Sequence, residues 1–274
     1  MGSTRRLGGA TAEVVAAGEE TVLRRRVGWF FGVCLVLTWV PWLVLGVAGA
    51  NVDEGVGALV FGLAASGPSL AALVMWLWHR DRMPRQVAWS WRWPIAAVGF
   101  GAVPPVVAAL LLGVDGIPEH ASSVIAGAGG PLGALAYTLL AGPVAEEFGW
   151  RGYLQPRLRR MYGRIAVTGI IGAAWGLWHL PLFFLDGTGQ HDKGLASLEG
   201  LLFFLGLFPL TFTILFVSER LRGGVWAAIL LHAAWNLTEE LVPALSSTGL
   251  WVELFLTTLI AVSVGLYWRR VPRL

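Results

Sequence analysis

Long apolar stretches separated by short polar loops dominate the pattern of this chain. Eight of them approach the ~20 mostly apolar residues that a membrane-spanning helix needs. They cover residues 28–49, 56–78, 93–113, 131–150, 165–185, 199–218, 224–242 and 250–268. The fourth and the seventh are the weakest of these predicted spans, because both contain polar groups. The pattern predicts an all-α, polytopic membrane protein with about eight transmembrane helices.

The loops between these stretches alternate in charge. Every second loop is rich in arginine: Arg80, Arg82, Arg85 and Arg92; Arg157, Arg159, Arg160 and Arg164; Arg220 and Arg222; and Arg269, Arg270 and Arg273. The intervening loops carry the acidic residues Asp53, Glu54, Asp115, Glu119, Asp186, Asp192, Glu239 and Glu240. Because basic loops stay on the cytoplasmic side of a membrane, both termini are predicted to be cytoplasmic.

Composition agrees with a membrane protein. The chain is 56% hydrophobic and 14% charged, whereas soluble domains carry roughly 25% charged residues. We find no polar linker, so residues 27–274 are predicted to form one transmembrane domain. The polar tail before it, residues 1–26, is expected to be cytoplasmic and poorly ordered.

The single cysteine, Cys34, cannot form an intrachain disulfide. The net charge of +3 does not indicate a nucleic-acid partner, because the basic residues lie in short loops.

Two adjacent glutamates, Glu146 and Glu147, follow the apolar part of the fourth span. Ionisable groups at membrane depth cost at least ~2.5 kcal/mol each and usually mark a site. From Pro131 to Glu146 a helix rises only about 22 Å, which is less than the ~30 Å thickness of the hydrocarbon core. The helix is therefore predicted to continue past Glu147. Both carboxylates are then expected on the cytoplasmic side of the membrane. Arg151 is placed at i, i+4 to neutralise Glu147, while Glu146 points ~100° away and faces a cavity.

Two further apolar stretches each carry a histidine. His179 lies in the fifth span, and His232 lies in the seventh with Asn236 four residues later, on the same helix face. Taken singly, a buried histidine is usually a hydrogen-bonded packing residue and an asparagine joins helices. Their occurrence with Glu146 in three otherwise apolar spans favours a functional site within the membrane. Four tryptophans nearby are interpreted as packing and interface residues: Trp150, Trp175, Trp178 and Trp235.

These segments resemble the motifs of a known family. Glu146-Glu147-x-x-x-Arg151, Trp175-x-x-x-His179 and His232-x-x-x-Asn236 look like the motifs of the CPBP family, which groups CAAX prenyl endopeptidases with bacteriocin-processing and bacteriocin-immunity proteins. The resemblance covers roughly residues 130–240. There are 33 residues from Glu146 to His179 and 53 residues from His179 to His232. The tryptophan at 175 is a small departure, since the family often has phenylalanine there.

The resemblance implies an intramembrane endopeptidase. Glu146 would be the general base that activates water, and His179 would orient that water or share its proton. His232 and Asn236 would donate hydrogen bonds to the developing oxyanion. The two remaining motif residues would support the site: Glu147 and Arg151.

Metal dependence is left open by the sequence. The family is often labelled a metalloprotease family, and Glu146, His179 and His232 could form a zinc triad with one open position. The HExxH motif is absent, and the resemblance is equally compatible with a metal-free, glutamate-dependent mechanism, which we favour.

Other functional classes fit the motifs less well. No Gly-x-Ser-x-Gly nucleophile motif occurs, and Asp186 and Asp192 share one loop, so serine and aspartyl intramembrane proteases are not indicated. A proton-coupled transporter would use a membrane carboxylate as a relay but often has repeated halves, and we find no convincing repeat. A non-catalytic immunity or scaffold protein that keeps the motifs is the third alternative.

Partners and location follow from the same features. The predicted partners are membrane lipid and a membrane-associated peptide or protein substrate. The chain is rich in Arg, Ala, Gly and Trp with a single lysine, Lys193, which suggests a GC-rich bacterial genome and hence a bacterial cell membrane. Because prenylated CAAX proteins are the eukaryotic role of the family that the motifs resemble, a membrane-embedded peptide or leader sequence is favoured over a prenylated protein as substrate. The sequence leaves the oligomeric state and the route of substrate entry open.

Overall fold

The computed structural model describes residues 3–52, 54–80 and 90–270, with side chains from Gly18 onward. Four of the loop charges used above lie outside the described residues: Asp53, Arg82, Arg85 and Arg273. Within the described ranges the ordered elements are all helical. The α-helices are α1 Ser3–Ala48, α2 Gly55–Ala65, α3 Gly67–His79, α4 Arg92–Leu111, α5 Ile117–Gly127, α6 Pro131–Ala141, α7 Pro143–Glu147, α8 Gln155–Met161, α9 Arg164–His179, α10 Gly189–Lys193, α11 Leu198–Leu215, α12 Gly224–Leu241 and α13 Ser247–Arg270. Phe148–Leu154 and Phe216–Arg220 are π-helical, and Leu180–Phe184 is a 3₁₀-helix.

The predicted all-α, polytopic membrane class is confirmed, but the count of eight spans is not. In the described part of the chain, five helical segments are long and apolar enough to cross a membrane: Gly18–Ala48, Arg92–Leu111, Arg164–Phe184, Leu198–Arg220 and Ser247–Arg270. Two bent helix pairs bring the number to at most seven if each pair is one span.

The predicted fourth span, 131–150, is a broken helix. α6 ends at Ala141, and α7 begins at Pro143 after a non-helical Gly142 with φ −143° and ψ −76°. A proline lacks the N–H that would continue the hydrogen-bond ladder of α6, so the break coincides with this Gly-Pro step. α5, in a segment that we interpreted as a loop, pairs with Pro131–Met161 at a bend of 78°.

The predicted second and seventh spans also differ from straight apolar helices. Residues 56–78 form α2 and α3, which meet at a bend of 52°. α12 is present, but it does not qualify as an apolar span in the described residues, because it carries His232, Asn236 and two glutamates. The same polar groups that make α12 weak as a span place it at the candidate site.

α12 is held in the interior by close packing on α4. Of all the helix pairs, α4 and α12 make the most extensive contact. A Cβ atom added to Gly101 of α4 would lie 2.4 Å from the backbone oxygen of Leu231, so only glycine allows the two backbones this close. α11 packs between α9 and α13, and α1 packs on α3. These contacts surround α7, α9 and α12 with helices.

The N-terminal residues differ from the poorly ordered tail that we expected. α1 begins at Ser3 and continues without a break to Ala48. The segment is rich in Ala, Glu and Arg, which favour helix, and Arg24 pairs with Glu20 one turn earlier at 2.6 Å.

Candidate active site

Three motif residues from two separate helices converge on the helix break at Gly142. A Cβ atom built on Gly142 would lie 3.0 Å from Nδ2 of Asn236, 3.6 Å from Oε1 of Glu146 and 3.9 Å from Nε2 of His232. The absence of a side chain at Gly142 therefore leaves a gap that a carboxylate, an amide and an imidazole all face. A reacting group placed in this gap would contact all three.

Glu147 turns away from this gap and holds two other residues. Its Oε1 accepts hydrogen bonds from Nη1 of Arg151 at 2.8 Å and from Nδ1 of His232 at 2.9 Å. The side chains of Glu147 and Arg151 are both fully buried. The expected i, i+4 pair is present, and a buried carboxylate needs such partners. The bond to His232, 85 residues away, has no local sequence signal.

Trp175 lies at the centre of the site, although we interpreted it as a packing residue. Its Nε1–H donates to Oε2 of Glu146 at 2.6 Å. Its ring contacts His232 edge-on, with the ring centroids 5.1 Å apart, and the guanidinium of Arg151 lies 4.5 Å from the centre of the indole ring. Trp175 thus fixes the orientation of Glu146. The available signal was its i, i+4 spacing to His179, which places both on one face of α9.

Hydrogen bonding defines which ring nitrogen of each histidine is available. Nδ1 of His179 is 2.7 Å from the backbone oxygen of Trp175, and since a carbonyl only accepts, Nδ1 carries the hydrogen and a neutral ring keeps a lone pair on Nε2. Nδ1 of His232 donates to the Glu147 carboxylate. His232 therefore has a hydrogen on Nε2, the nitrogen facing Gly142, only when its ring is the imidazolium cation.

The motif residues line a cavity of about 280 Å³. Glu146, His179, His232 and Asn236 all contribute to its wall. Much of the remaining wall is apolar: Leu182, Leu202, Phe203, Leu207, Leu210 and Leu254. A mostly apolar cavity with a few converging polar groups is the usual form of a binding or catalytic site.

The helix that carries both glutamates is anchored beyond the site. Phe148–Leu154 is π-helical and leads directly into α8. Gln155 donates from Nε2 to Oγ of Ser218 at 3.1 Å, and Arg159 pairs with Glu219 at 3.0 Å. These contacts attach α8, which follows the π-helical segment, to the second π-helical segment, Phe216–Arg220, which follows α11.

The described side chains do not present the zinc triad that we considered. Among residues 18–52, 54–80 and 90–270, no group of three His, Cys, Asp or Glu side chains could hold a metal ion. His232 is turned by its Nδ1 towards Glu147, and His179 is turned by its Nδ1 towards a backbone oxygen.

Comparison with known proteins finds relatives of the segment that carries the motifs. Residues 128–238, which include every residue of the three motifs, match the family described as type II CAAX prenyl endopeptidase Rce1-like. This segment is thus similar to the CAAX prenyl endopeptidase (CPBP) family. The chain is also similar to a protein named CAAX prenyl protease 2 from the archaeon Methanococcus maripaludis, with 32% identity over 132 residues, 48% of each chain. The chain thus aligns with about half the length of this CAAX protease relative. The resemblance drawn from the three motifs is confirmed.

Proposed function

We propose that the protein is an intramembrane endopeptidase that hydrolyses a peptide bond of a membrane-associated protein or peptide. The observation that supports it best is the convergence of Glu146, His232 and Asn236 on the gap at Gly142. The gap opens into a cavity among apolar helices and lies in the segment that matches the CAAX endopeptidase family.

Glu146 is proposed as the general base. Trp175 holds its Oε2, and Oε1 faces the gap. Oε1 accepts a proton from a water molecule, and the water oxygen forms a bond to the carbonyl carbon of the substrate. The lone pair on Nε2 of His179 accepts a hydrogen bond from the second hydrogen of this water and orients it.

Asn236 and His232 are proposed to stabilise the oxyanion that this attack creates. Nδ2 of Asn236, 3.0 Å from a Cβ atom built on Gly142, is a donor at the gap. Nε2 of His232 is a donor in the imidazolium form, which the Glu147 carboxylate at 2.9 Å stabilises. Fixed donors in a site that excludes water stabilise a developing charge strongly, and loss of one costs about 10²–10³ in kcat.

Glu146 then completes the reaction. Its carboxyl group returns the proton to the nitrogen of the leaving amine as the C–N bond breaks, and the carbonyl reforms as a carboxylic acid. The water contributes one oxygen to the new carboxyl group, and Glu146 ends in its initial state. No covalent enzyme intermediate is formed.

The substrate is proposed to be a peptide segment with apolar side chains. Phe203, Leu207 and Leu210 line the cavity beside the polar groups and would bury such side chains at roughly 25 cal/mol per Å². The relative named above is a prenyl protease by its name. For this chain we favour an unprenylated membrane peptide or leader segment, cut near the cytoplasmic face of a bacterial cell membrane in which both termini are cytoplasmic.

Cleavage of a fluorogenic peptide library by the purified chain in detergent tests this proposal. Glu146→Gln should abolish cleavage, whereas Glu240→Gln, an exposed carboxylate at the end of α12, should cleave as wild type does. In water enriched in ¹⁸O, one label should enter the new carboxyl group. Full cleavage by Glu146→Gln would overturn the role of Glu146. If no peptide is cut and a cellular phenotype survives Glu146→Gln, the scaffold alternative gains support, and pH-coupled flux that depends on Glu146 would favour a transporter.

A further inference from the structure

One face of α11 lines the active-site cavity, and a glycine interrupts that face. The cavity-lining positions of this helix recur every three or four residues, which places them on one side. They are Glu199, Leu202, Phe203, Gly206, Leu207 and Leu210. Large apolar side chains precede and follow Gly206 along this face, so the missing side chain leaves a notch in the cavity wall between Phe203 and Leu210.

Neither packing nor backbone conformation requires a glycine at this position. Gly206 lies inside α11, its φ is not in the left-handed region, and a Cβ atom added there would meet nothing within 4 Å beyond the backbone of its own helix. Glycine also destabilises a helix interior relative to alanine. Among the described glycines that have open space beside them, Gly206 is the one that lines the active-site cavity.

Packing on α9 fixes the rotation of α11 that turns Gly206 to the cavity. A Cβ atom on Gly176 of α9 would lie 3.0 Å from the ring of Phe204. One on Gly172 would lie 2.9 Å from the ring of Phe208. Gly206 is two residues from each of these phenylalanines, or about 200° around the helix, and therefore faces away from α9. Any rotation of α11 that closed the notch would remove both phenylalanines from their glycines.

The notch lies close to a proposed catalytic residue. The ring of Phe203 contacts the ring of His179 edge-on, with the centroids 5.1 Å apart. Gly206 follows Phe203 by three residues, about 4.5 Å along the helix axis, and the buried Leu210 borders the notch one turn further on. A substrate side chain in the notch would therefore belong to a residue close to the bond that is cleaved.

The surroundings of the notch suit an apolar side chain. Phe203, Leu207 and Leu210 border it, and all three line the cavity. The carboxylate on the same face, Glu199, is seven residues or about 10 Å away along the axis and accepts a hydrogen bond from Ser247 at 2.8 Å. The notch thus offers shape and apolar contact without a charge.

We propose that Gly206 is a specificity-determining residue, and that the notch takes one large apolar side chain of the substrate, such as that of leucine, close to the cleaved bond. The inference rests on the proposed peptidase function, because it assigns a subsite to the same cavity. One missing methylene group in an apolar pocket changes the selectivity of an enzyme by about tenfold or more, and alanine would leave most of the notch empty. A side chain introduced at position 206 would occupy the same space.

Cleavage of paired peptides by Gly206→Leu tests this proposal. At each position around the cleaved bond, one peptide carries leucine and its pair carries alanine. At one position the wild type should prefer leucine in kcat/KM by about tenfold or more. Gly206→Leu should lose at least that factor with the leucine peptide and cleave the alanine peptide at nearly the wild-type rate, and Gly206→Ala should fall between the two proteins.

A matched substitution controls for the change itself. Gly169→Leu introduces the same side chain at an open glycine of α9 that does not line the cavity, and it should keep the preference of the wild type. Gly206→Leu should unfold in denaturant no earlier than the wild type, because leucine favours helix more than glycine does. Equal losses with both peptides, or the same change of preference in Gly169→Leu, would overturn the proposal.

Peptide binding separates the subsite from the chemistry. The same pairs, labelled with a fluorophore, are titrated by anisotropy against Glu146→Gln and Glu146→Gln/Gly206→Leu in detergent. The first protein should bind the leucine peptide about tenfold more tightly than the alanine peptide, and the second should show no such preference. This result without any cleavage by wild type would overturn the proposed protease and support the subsite. Glu146-dependent cleavage with no size preference at any position would overturn the subsite alone, and so would failure of Glu146→Gln to bind either peptide.

Discussion

His232 donates its Nδ1 hydrogen to the carboxylate of Glu147 across 2.9 Å, and this bond joins α12 to the helix that carries both glutamates. The same carboxylate oxygen accepts from Arg151 at 2.8 Å. Glu147 therefore binds His232 as well as forming an ion pair with Arg151. It fixes the ring of His232 with Nε2 towards Gly142, and it is a positioning residue for the proposed oxyanion donor.

Glu147→Gln should lower both stability and turnover. It leaves the guanidinium of Arg151, which is fully buried, without its counter-charge, and removal of one partner of a buried pair costs about 3–5 kcal/mol. Denaturant unfolding in detergent measures the free energy, and kcat and KM with a cleaved peptide measure the function. The double variant Glu147→Gln/Arg151→Met should recover much of the stability but little of kcat, because the amide at position 147 no longer supplies the negative charge that stabilises the imidazolium form of His232. Recovery of kcat together with stability would show that Glu147 has only a structural role.

Trp175→Phe should slow the reaction without unfolding the protein. The variant loses the hydrogen bond from Nε1 to Glu146, a bond to a charged group worth about 1.5–3 kcal/mol, and keeps an aromatic ring that the family often has at this position. We expect kcat to fall about tenfold or more with KM nearly unchanged. Trp178→Phe is the matched control, since its Nε1 donates to Thr38 at 2.9 Å and not to a site residue. Equal kcat in the two variants would argue against a role for the Trp175 N–H group.

Gly142→Ala should impair catalysis through sterics alone. Its methyl group would lie 3.0 Å from Nδ2 of Asn236 and occupy the gap where the scissile carbonyl is proposed to bind. A displacement of about 1 Å at a reacting centre can cost 10²-fold in rate, so we expect a loss of that order in kcat/KM. Gly169→Ala in α9, where an added Cβ atom meets nothing within 4 Å, serves as the comparison and should keep full activity. Wild-type kcat/KM in Gly142→Ala would rule out this placement of the substrate.

Chelation should leave the activity in place. The described residues provide no cluster that could hold a metal ion, and the proposed steps use Glu146, His179, His232 and Asn236 alone. Peptide cleavage is measured after dialysis against a strong chelator, with elemental analysis of the same sample. Loss of activity that zinc restores would show that the metal-dependent alternative is correct and that the site rearranges to bind it.

The sequence predicts the membrane class and the local pairs well, for physical reasons. About twenty apolar residues suffice to indicate a span, and i, i+4 spacing brings together Glu147 with Arg151 and His232 with Asn236. The span count fails where Pro143 breaks a helix and where α12 is too polar to qualify as a span.

The contacts that complete the site were not predictable in this way. The bond between Trp175 and Glu146 joins residues 29 positions apart, and the bond between His232 and Glu147 joins residues 85 apart. Both depend on how α9 and α12 pack around α7, which periodicity along one chain does not encode.

The π-helical turns of Phe148–Leu154 make the alignment of the glutamates tolerant of one change in chain length. A π-helical turn contains about one residue more than an α-helical turn and takes up that residue without changing the helix phase on either side, where α8 is held through Gln155 and Arg159. Deleting one residue within these turns would restore an ordinary helix with Glu146 still aligned, whereas a deletion from α8 ahead of Arg159 would rotate Glu146 by ~100° relative to that anchor. A one-residue gap at 148–154 in a homologue is therefore no mark of an inactive descendant.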